Sequence, residues 1–351
     1  MGRKNRSEVF DSETVGVYHC IQRAVRRAWL CGFDTSTGRS FEHRRDWIEG
    51  RLRALAGIFA FDFLSYAIMD NHLHVIVRNR PDIRATWTDQ SIALRWWQLC
   101  PERCDDDGKP CEPTAQELEP LLEPEKNAEL RARLGSISWL MRFVAEPIAR
   151  QANREDTCTG RFWEGRFKCQ KLVDETGILA CSSYVDLNPI RAGKCETPKQ
   201  SRYTSIFMRI LAEQSSLPNA DVDRRRADDW LAPIFLDMKA AAYSGAMPSA
   251  NGRRASDKGF VAMNATAYLE LIEWTGRRLL PNSDGETVPQ NLAPVLERIG
   301  VSPDTWCEVV GRYGKIFKQA AGKPDALAQE AQRRGQRWLQ TSNSPLISIA
   351  G

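Results

Sequence analysis

Tyr66-Ala67-Ile68-Met69-Asp70-Asn71-His72-Leu73-His74-Val75-Ile76-Val77 is the stretch on which the fold turns. Its flanks are apolar and rich in β-branched residues, which reads as two strands, near 62–69 and 72–79. The connection at Met69-Asp70-Asn71 is short, as in an antiparallel hairpin, and Asp and Asn tolerate the backbone conformations a tight turn demands. On a strand, residues two apart project from one face, so His72 and His74 point the same way. Two imidazoles held on a rigid element suit one divalent cation, with positions left open for a substrate. The chain has 4 histidines in all, so placing two of them here is informative. The competing reading, two satisfied polar residues on a half-exposed strand, would be preferred for an isolated His-x-His.

Outward from the hairpin, a strand is expected at about 15–25, then a turn through Gly32-Phe33-Asp34-Thr35-Ser36-Thr37-Gly38, then a helix over 40–60 with Phe41, Trp47, Leu52, Leu55 and Ile58 at roughly helical spacing. Residues 84–134 read as an insertion. Between Pro101 and Leu130 it carries ten acids against three basic residues, too acidic to lie along nucleic-acid phosphates. Ile137, Leu140, Met141, Val144, Ile148 and Ala152 predict a helix over 137–154. Residues 162–172 return as a strand, and 176–186 form a helix that starts after Asp174 and Glu175 and stops at Asn188-Pro189. Strand, helix, two strands, helix, strand, helix is an α+β order. Beyond residue 200 the pattern turns helical, at 227–242, 265–280, 303–317 and 325–339. The expected organisation is residues 1–200, containing the sheet and the insertion, and a helical region over 201–351.

Composition narrows the function. At 351 residues and 42% hydrophobic content the chain can bury a real core. No apolar run is long enough to span a membrane. The start, Met1-Gly2-Arg3-Lys4-Asn5-Arg6, lacks the apolar stretch of a signal peptide, so a cytoplasmic protein is expected. Ten scattered cysteines read as reduced thiols; Cys100, Cys104 and Cys111 lie close together but without a C-x-x-C pair or a fourth ligand. The net charge of +4 says little, but its distribution says more. Eight arginines face four acids between Gln22 and Arg53. Arg161, Arg166, Lys168 and Lys171 interleave with Phe162, Trp163 and Phe167, a mixture suited to phosphates and unpaired bases. The plain alternative is a solvated basic surface.

Four blocks in order add a resemblance. They are Tyr18-His19-Cys20-Ile21-Gln22-Arg23, Met69 to Val77, Gly160-Arg161-Phe162-Trp163-Glu164-Gly165-Arg166-Phe167-Lys168, and Tyr184-Val185-Asp186-Leu187-Asn188-Pro189-Ile190-Arg191-Ala192-Gly193. The set resembles the HUH superfamily of single-strand DNA nucleases, specifically the single-tyrosine transposases of insertion sequences and their REP-associated relatives. The second block is close to that family's MPNHFHLLL run, with Asp70 in place of its proline. The resemblance covers roughly residues 15–200. It implies an antiparallel sheet flanked by helices, of ferredoxin or RRM type, and a partner that is single-stranded or hairpin DNA, with a homodimer as a possibility.

It also implies a chemistry: a tyrosine attacks a phosphodiester while a His-bound Mg²⁺ or Mn²⁺ polarises the phosphate. His72 and His74 would be two ligands. The third would be a polar residue from a later helix, with Asn188 favoured, Asp186 a rival by position and Gln170 by residue type. Where many REP-associated members carry a tyrosine, this chain has Phe167, which cannot attack phosphorus. Tyr184 is the substitute nucleophile, since residues four apart share a helix face and Tyr184 opens the spacing to Asn188; packing against the sheet is the competing role. Tyr18 and Tyr66, on strands, are weaker candidates. Arg23, Arg161, Trp163, Arg166, Lys168 and Arg191 are the expected DNA contacts. His19 is read as satisfying a strand-end carbonyl. The alternative function is a domesticated DNA- or RNA-binding protein that keeps the fold and cuts nothing.

Overall fold

The structure, a computed structural model, describes residues 8–25, 29–215, 226–237, 245–280 and 287–339. Strand β1 (Gly16–Arg23) is followed by a small hairpin of β2 (Phe33–Asp34) and β3 (Arg39–Ser40), helix α1 (Arg44–Ala56), and strands β4 (Phe61–Ile68) and β5 (His72–Asn79). The insertion folds as α2 (Pro81–Ala85), α3 (Asp89–Leu99), α4 (Ala115–Leu122) and α5 (Pro124–Leu134). Then come α6 (Ile137–Glu155), β6 (Lys168–Leu172), α7 (Glu175–Asp186), the single turn α8 (Asn188–Arg191) and α9 (Ser205–Ser215). The chain continues through α10 (Ala265–Arg278), α11 (Ala293–Arg298), α12 (Pro303–Ile316), β7 (Ala320–Ala321) and α13 (Pro324–Arg333).

The main sheet has the order β4-β5-β1-β6-β7. Its first four strands are antiparallel to their neighbours, and β7 adds to β6 in parallel. Numbered within the β1-α1-β4-β5-α6-β6 unit, the four strands lie in the order 2-3-1-4, the ferredoxin-like arrangement. The expected α+β class is therefore what forms. No helix among the described residues is long and apolar enough to cross a membrane.

Strand alternation divides the interior in two. Tyr18 and Cys20 of β1 and Leu73, Val75 and Val77 of β5 face α1, α3 and α6, where Ile48, Leu52, Trp96, Leu140, Val144 and Ile148 complete a core. Val17, Ile76 and Leu172 point the other way, into a second core with α7, α10 and α12, supplied by Leu179, Val185, Leu271, Trp274, Trp306 and Val310. The sequence boundary near residue 200 coincides with no break in packing, because residues on both sides of it share this second core.

Four expected elements differ in extent. Residues 162–167 cross the sheet end irregularly, with Trp163 bridged to Ala24, so the strand there begins only at Lys168. The helix expected over 40–60 begins after β3. The described part of 227–242 is turn and isolated bridges, Leu231 pairing with Phe63 and Phe235 with Val261. Its apolar residues fill the core beside β4 rather than one face of a helix; residues 238–242 lie outside the described residues. The helix over 325–339 stops at Arg333, with Gly335 at φ 63° ending it in the left-handed region.

Helix α7, which presents Tyr184, is fixed at its start by two features. Asp174 caps it, its carboxylate accepting from the Gly177 N–H at 2.7 Å and the Lys323 N–H at 2.7 Å. Gly177 lets the helix approach β7: a Cβ there would lie 2.3 Å from the Ala321 carbonyl oxygen. Gly177→Ala would gain in helix propensity, but the clash with backbone must push α7 off β7. A net loss of about 1–3 kcal/mol in unfolding free energy is expected from denaturant titration. An unchanged midpoint would show that α7 does not need this approach.

Candidate functional site

The second face of the sheet carries a polar island inside its apolar core. In the β1–β5 register Ile21 lies opposite His74 and Arg23 opposite His72, so His19 sits diagonally across from His74 on the same face. The two rings meet directly, His19 Nε2 lying 2.8 Å from His74 Nδ1, with centroids 5.1 Å apart. His72, nearer the turn, is half-buried. Its Nδ1 is 2.6 Å from Asn71 Oδ1, so the imidazole donates to the amide oxygen and its Nε2 is left as the lone-pair nitrogen. The rings of His72 and His74 are 4.7 Å apart. The expectation that His19 satisfies a strand-end carbonyl is corrected: it is buried at the centre of the cluster.

Helix α7 supplies the other side. Pro189 has no N–H to donate back to Val185, so the helix breaks and restarts as α8, with Asn188 as its first residue. The turn keeps Tyr184 and Asn188 on one side. Asn188 Nδ2 is 3.1 Å from His74 Nε2. The Tyr184 ring stands edge-on to His74 at 5.6 Å, packs on Tyr313 of α12 at 5.0 Å, and lies under the Arg191 guanidinium at 4.8 Å. Its hydroxyl end reaches α12, where a Cβ on Gly314 would lie 3.3 Å from the phenol oxygen.

The other described tyrosines are committed elsewhere. Tyr18 and Tyr66 belong to the opposite core; the Tyr18 oxygen accepts from the Asp11 N–H, and the Tyr66 hydroxyl donates to Glu49. Tyr203 donates to Asp46, Tyr268 to Asp186 and Tyr313 to Gln170. Phe167 is core, also in the opposite cluster.

The candidate third ligands separate clearly. Asp186 is fully buried away from the histidines, accepting from Ser205, the Ile206 N–H and Tyr268. Gln170 sits behind His19, accepting from Tyr313 at 2.7 Å. Asn188 alone of the three touches His74. The 3.1 Å contact is a hydrogen bond from the Asn188 amide nitrogen to His74 Nε2; to ligate beside His74, Asn188 would turn its side-chain oxygen to that position. Among the described residues no group of three or more His, Cys, Asp or Glu forms a metal cluster; the donor set here would be two imidazoles and an amide. Neutral imidazoles and an amide oxygen are donors that a divalent ion of the Mn²⁺ kind accepts.

The basic residues divide as well. Arg23, Arg161, Arg166, Lys168 and Arg191 are exposed. Arg23 closes β1 beside His72. Arg191 also donates to the Gly311 carbonyl of α12 at 2.5 Å. Trp163, expected to stack on a base, is instead buried, its indole N–H donating to the Ala145 carbonyl at 2.7 Å. Lys171 is paired with Glu330. Lys194, which the sequence reading passed over, pairs with Asp70 at 2.5 Å, and Arg45 holds the other oxygen at 2.7 Å, so the hairpin turn is clamped from two sides.

No family model and no curated protein matches this chain. Among solved structures, a REP-associated tyrosine transposase bound to a REP hairpin is similar over 65% of this chain and 96% of that one, with a TM-score of 0.36 and 10% identity.

Burial sets the charge state of the cluster. It lowers His19 and His72 to about 4, with Arg23 adding to the effect at His72, and it lowers His74 well below its ordinary value, with His72 and His19 adding to the effect. The imidazoles are neutral at pH 7 and able to ligate. The folded values lie below the ordinary 6.5, so the unfolded chain binds more protons between that pH and about 4. Stability present above pH 6.5 is therefore lost as pH falls through this window. The thermal midpoint of metal-free protein should drop over that range, and less steeply in His19→Gln/His74→Gln. Equal slopes would mean that these rings are not what acid attacks.

Proposed function

We propose that this chain is a DNA-binding transposase-like enzyme that cleaves and rejoins single-stranded or hairpin DNA. The observation that carries this reading is the convergence of His72, His74 and Asn188 with Tyr184 beside them, from two elements that the four sequence blocks had singled out separately. A divalent ion held by His72, His74 and Asn188 would supply polarisation of a phosphate oxygen and a fixed orientation for the scissile bond. The protein supplies the rest. Arg23, Lys168 and Arg191 lie on the elements that carry the site and, with the exposed Arg161 and Arg166, would offer positive charge to the flanking phosphates. Tyr184 supplies the nucleophile. Its oxygen loses the phenol proton and bonds to phosphorus, one phosphorus–oxygen bond to the sugar breaks, and the sugar oxygen takes up a proton and leaves as a hydroxyl, so that no net proton is gained or lost. The phosphotyrosine keeps a phosphodiester bond, so the same hydroxyl, or another, reverses the step and rejoins the strand.

A second reading is favoured by the packing of Tyr184 against α12: a module that binds hairpin DNA, or RNA, without cutting it. Labelled hairpin single strands with Mn²⁺ separate the two. Cleavage with a covalent adduct supports the enzyme. Binding that persists in EDTA, with no adduct under any divalent metal, supports the module, and stronger binding to matching RNA would assign that module to RNA.

Two substitutions refine the test. Tyr184→Phe removes one oxygen and should abolish the adduct while hairpin binding stays within about twofold. An adduct mapped to another tyrosine overturns the assignment. His72→Ala/His74→Ala should reduce cleavage on the order of 100-fold or more; undiminished cleavage would remove the histidines from the chemistry.

A further inference from the structure

The cluster does not end at His19. Gln170 lies directly opposite His19 in the β1–β6 register, on the same face of the sheet, which sets its side chain beside the His19 ring nitrogen that His74 leaves free. The Gln170 side-chain oxygen also accepts from the Tyr313 hydroxyl of α12 at 2.7 Å. Asn188, His74, His19, Gln170 and Tyr313 thus form one buried polar chain, each member no more than 8% exposed. It runs from the mouth of the site to a helix more than a hundred residues further along the sequence.

Hydrogen bonds along such a chain have a direction. Each neutral imidazole carries one N–H, and the His19–His74 contact needs one donor and one bare nitrogen. In one arrangement His74 Nδ1–H donates to His19 Nε2, and His19 Nδ1–H donates to the Gln170 oxygen. His74 Nε2 is then bare and accepts from the Asn188 amide N–H. Every group is satisfied. In the reverse arrangement the bare His19 Nδ1 faces the Gln170 oxygen and the His74 Nε2–H faces the Asn188 NH₂. Both amides would have to turn over to repair this. Turning the Gln170 amide would make the Tyr313 oxygen an acceptor and leave its buried O–H, which here donates to the Gln170 oxygen, without that acceptor.

We propose that Tyr313 is a positioning residue for the candidate metal site: through Gln170 and His19 it holds His74 as the Nδ1–H tautomer, so that Nε2 presents its lone pair towards Asn188. This rests on the reading of His74 as a ligand only in its consequence for metal, since the tautomer can be observed without one. The helix α12 that carries Tyr313 lies beyond the stretch covered by the four blocks, so the distal region would complete the site rather than merely cover it.

The test uses full-length ¹⁵N-labelled protein, metal-free, at pH 7.5, with ring-nitrogen NMR of His74. Wild type should show a protonated Nδ1 and a bare Nε2. Tyr313→Phe keeps the ring against Tyr184 but removes the hydroxyl, and Gln170→Leu removes the relay. Each should give mixed His74 tautomers and Mn²⁺ binding weakened about 10-fold, with an unchanged circular dichroism spectrum. A wild-type His74 with its proton on Nε2 overturns the proposal, as does Tyr313→Phe with an unaltered tautomer. Wild type that takes up no Mn²⁺ would remove the metal reading alone, while the ring spectra still decide whether the relay exists.

Discussion

The antiparallel register of β1 on β5 sets Ile21 opposite His74 and Arg23 opposite His72, and thereby makes His19 the diagonal neighbour of His74. A shift of one residue would turn every side chain of β1 to the other core. His19 would then lie among Leu52, Phe63 and Ile148, and Tyr18 would replace it beside the candidate ligand. Register is enforced by burial on both faces, because Tyr18 and Cys20 pack into one hydrophobic core while Val17 packs into the other. The clamp on Asp70 by Arg45 and Lys194 fixes the hairpin at the end where His72 emerges.

Burying three imidazoles is costly unless each polar atom has a partner. Those partners come from both halves of the chain. β6 supplies Gln170, α8 supplies Asn188, and α12 supplies Tyr313. The same helix packs a ring on Tyr184, and Arg191 ties α8 back to it through Gly311. β7 extends the sheet beyond β6, so that sheet edge is not left bare. The distal helices and the histidine face of the sheet are therefore one packing problem, and the neutrality of the histidines follows from that burial.

The parts of this arrangement that were legible in the sequence are the local ones. The hairpin, the His72–His74 pair, helix α6 and the four-residue spacing of Tyr184 to Asn188 all depend on short-range periodicity, which a chain states openly. What escaped depends on contacts distant in sequence. His19 acquires its role only when β1 pairs with β5. Tyr313 looks like any apolar-face residue of an amphipathic helix until α12 meets Gln170. Trp163 sits among basic residues and reads as a base-stacking ring, yet α6 offers its indole a carbonyl and buries it. At 227–237, apolar residues spaced like a helix face instead bridge to the outer edge of β4 and to Val261, because tertiary burial outweighs a weak helical preference.

The measurement that bears most directly on the candidate site is pulsed electron paramagnetic resonance of Mn²⁺ added to the full-length protein. Two sets of ¹⁴N couplings from directly bound imidazole are expected, one lost in His72→Ala and the other in His74→Ala. Bound Mn²⁺ with no imidazole coupling would contradict the assignment of these two histidines as ligands, and with it the central reading of this fold as a metal-dependent strand-cleaving enzyme.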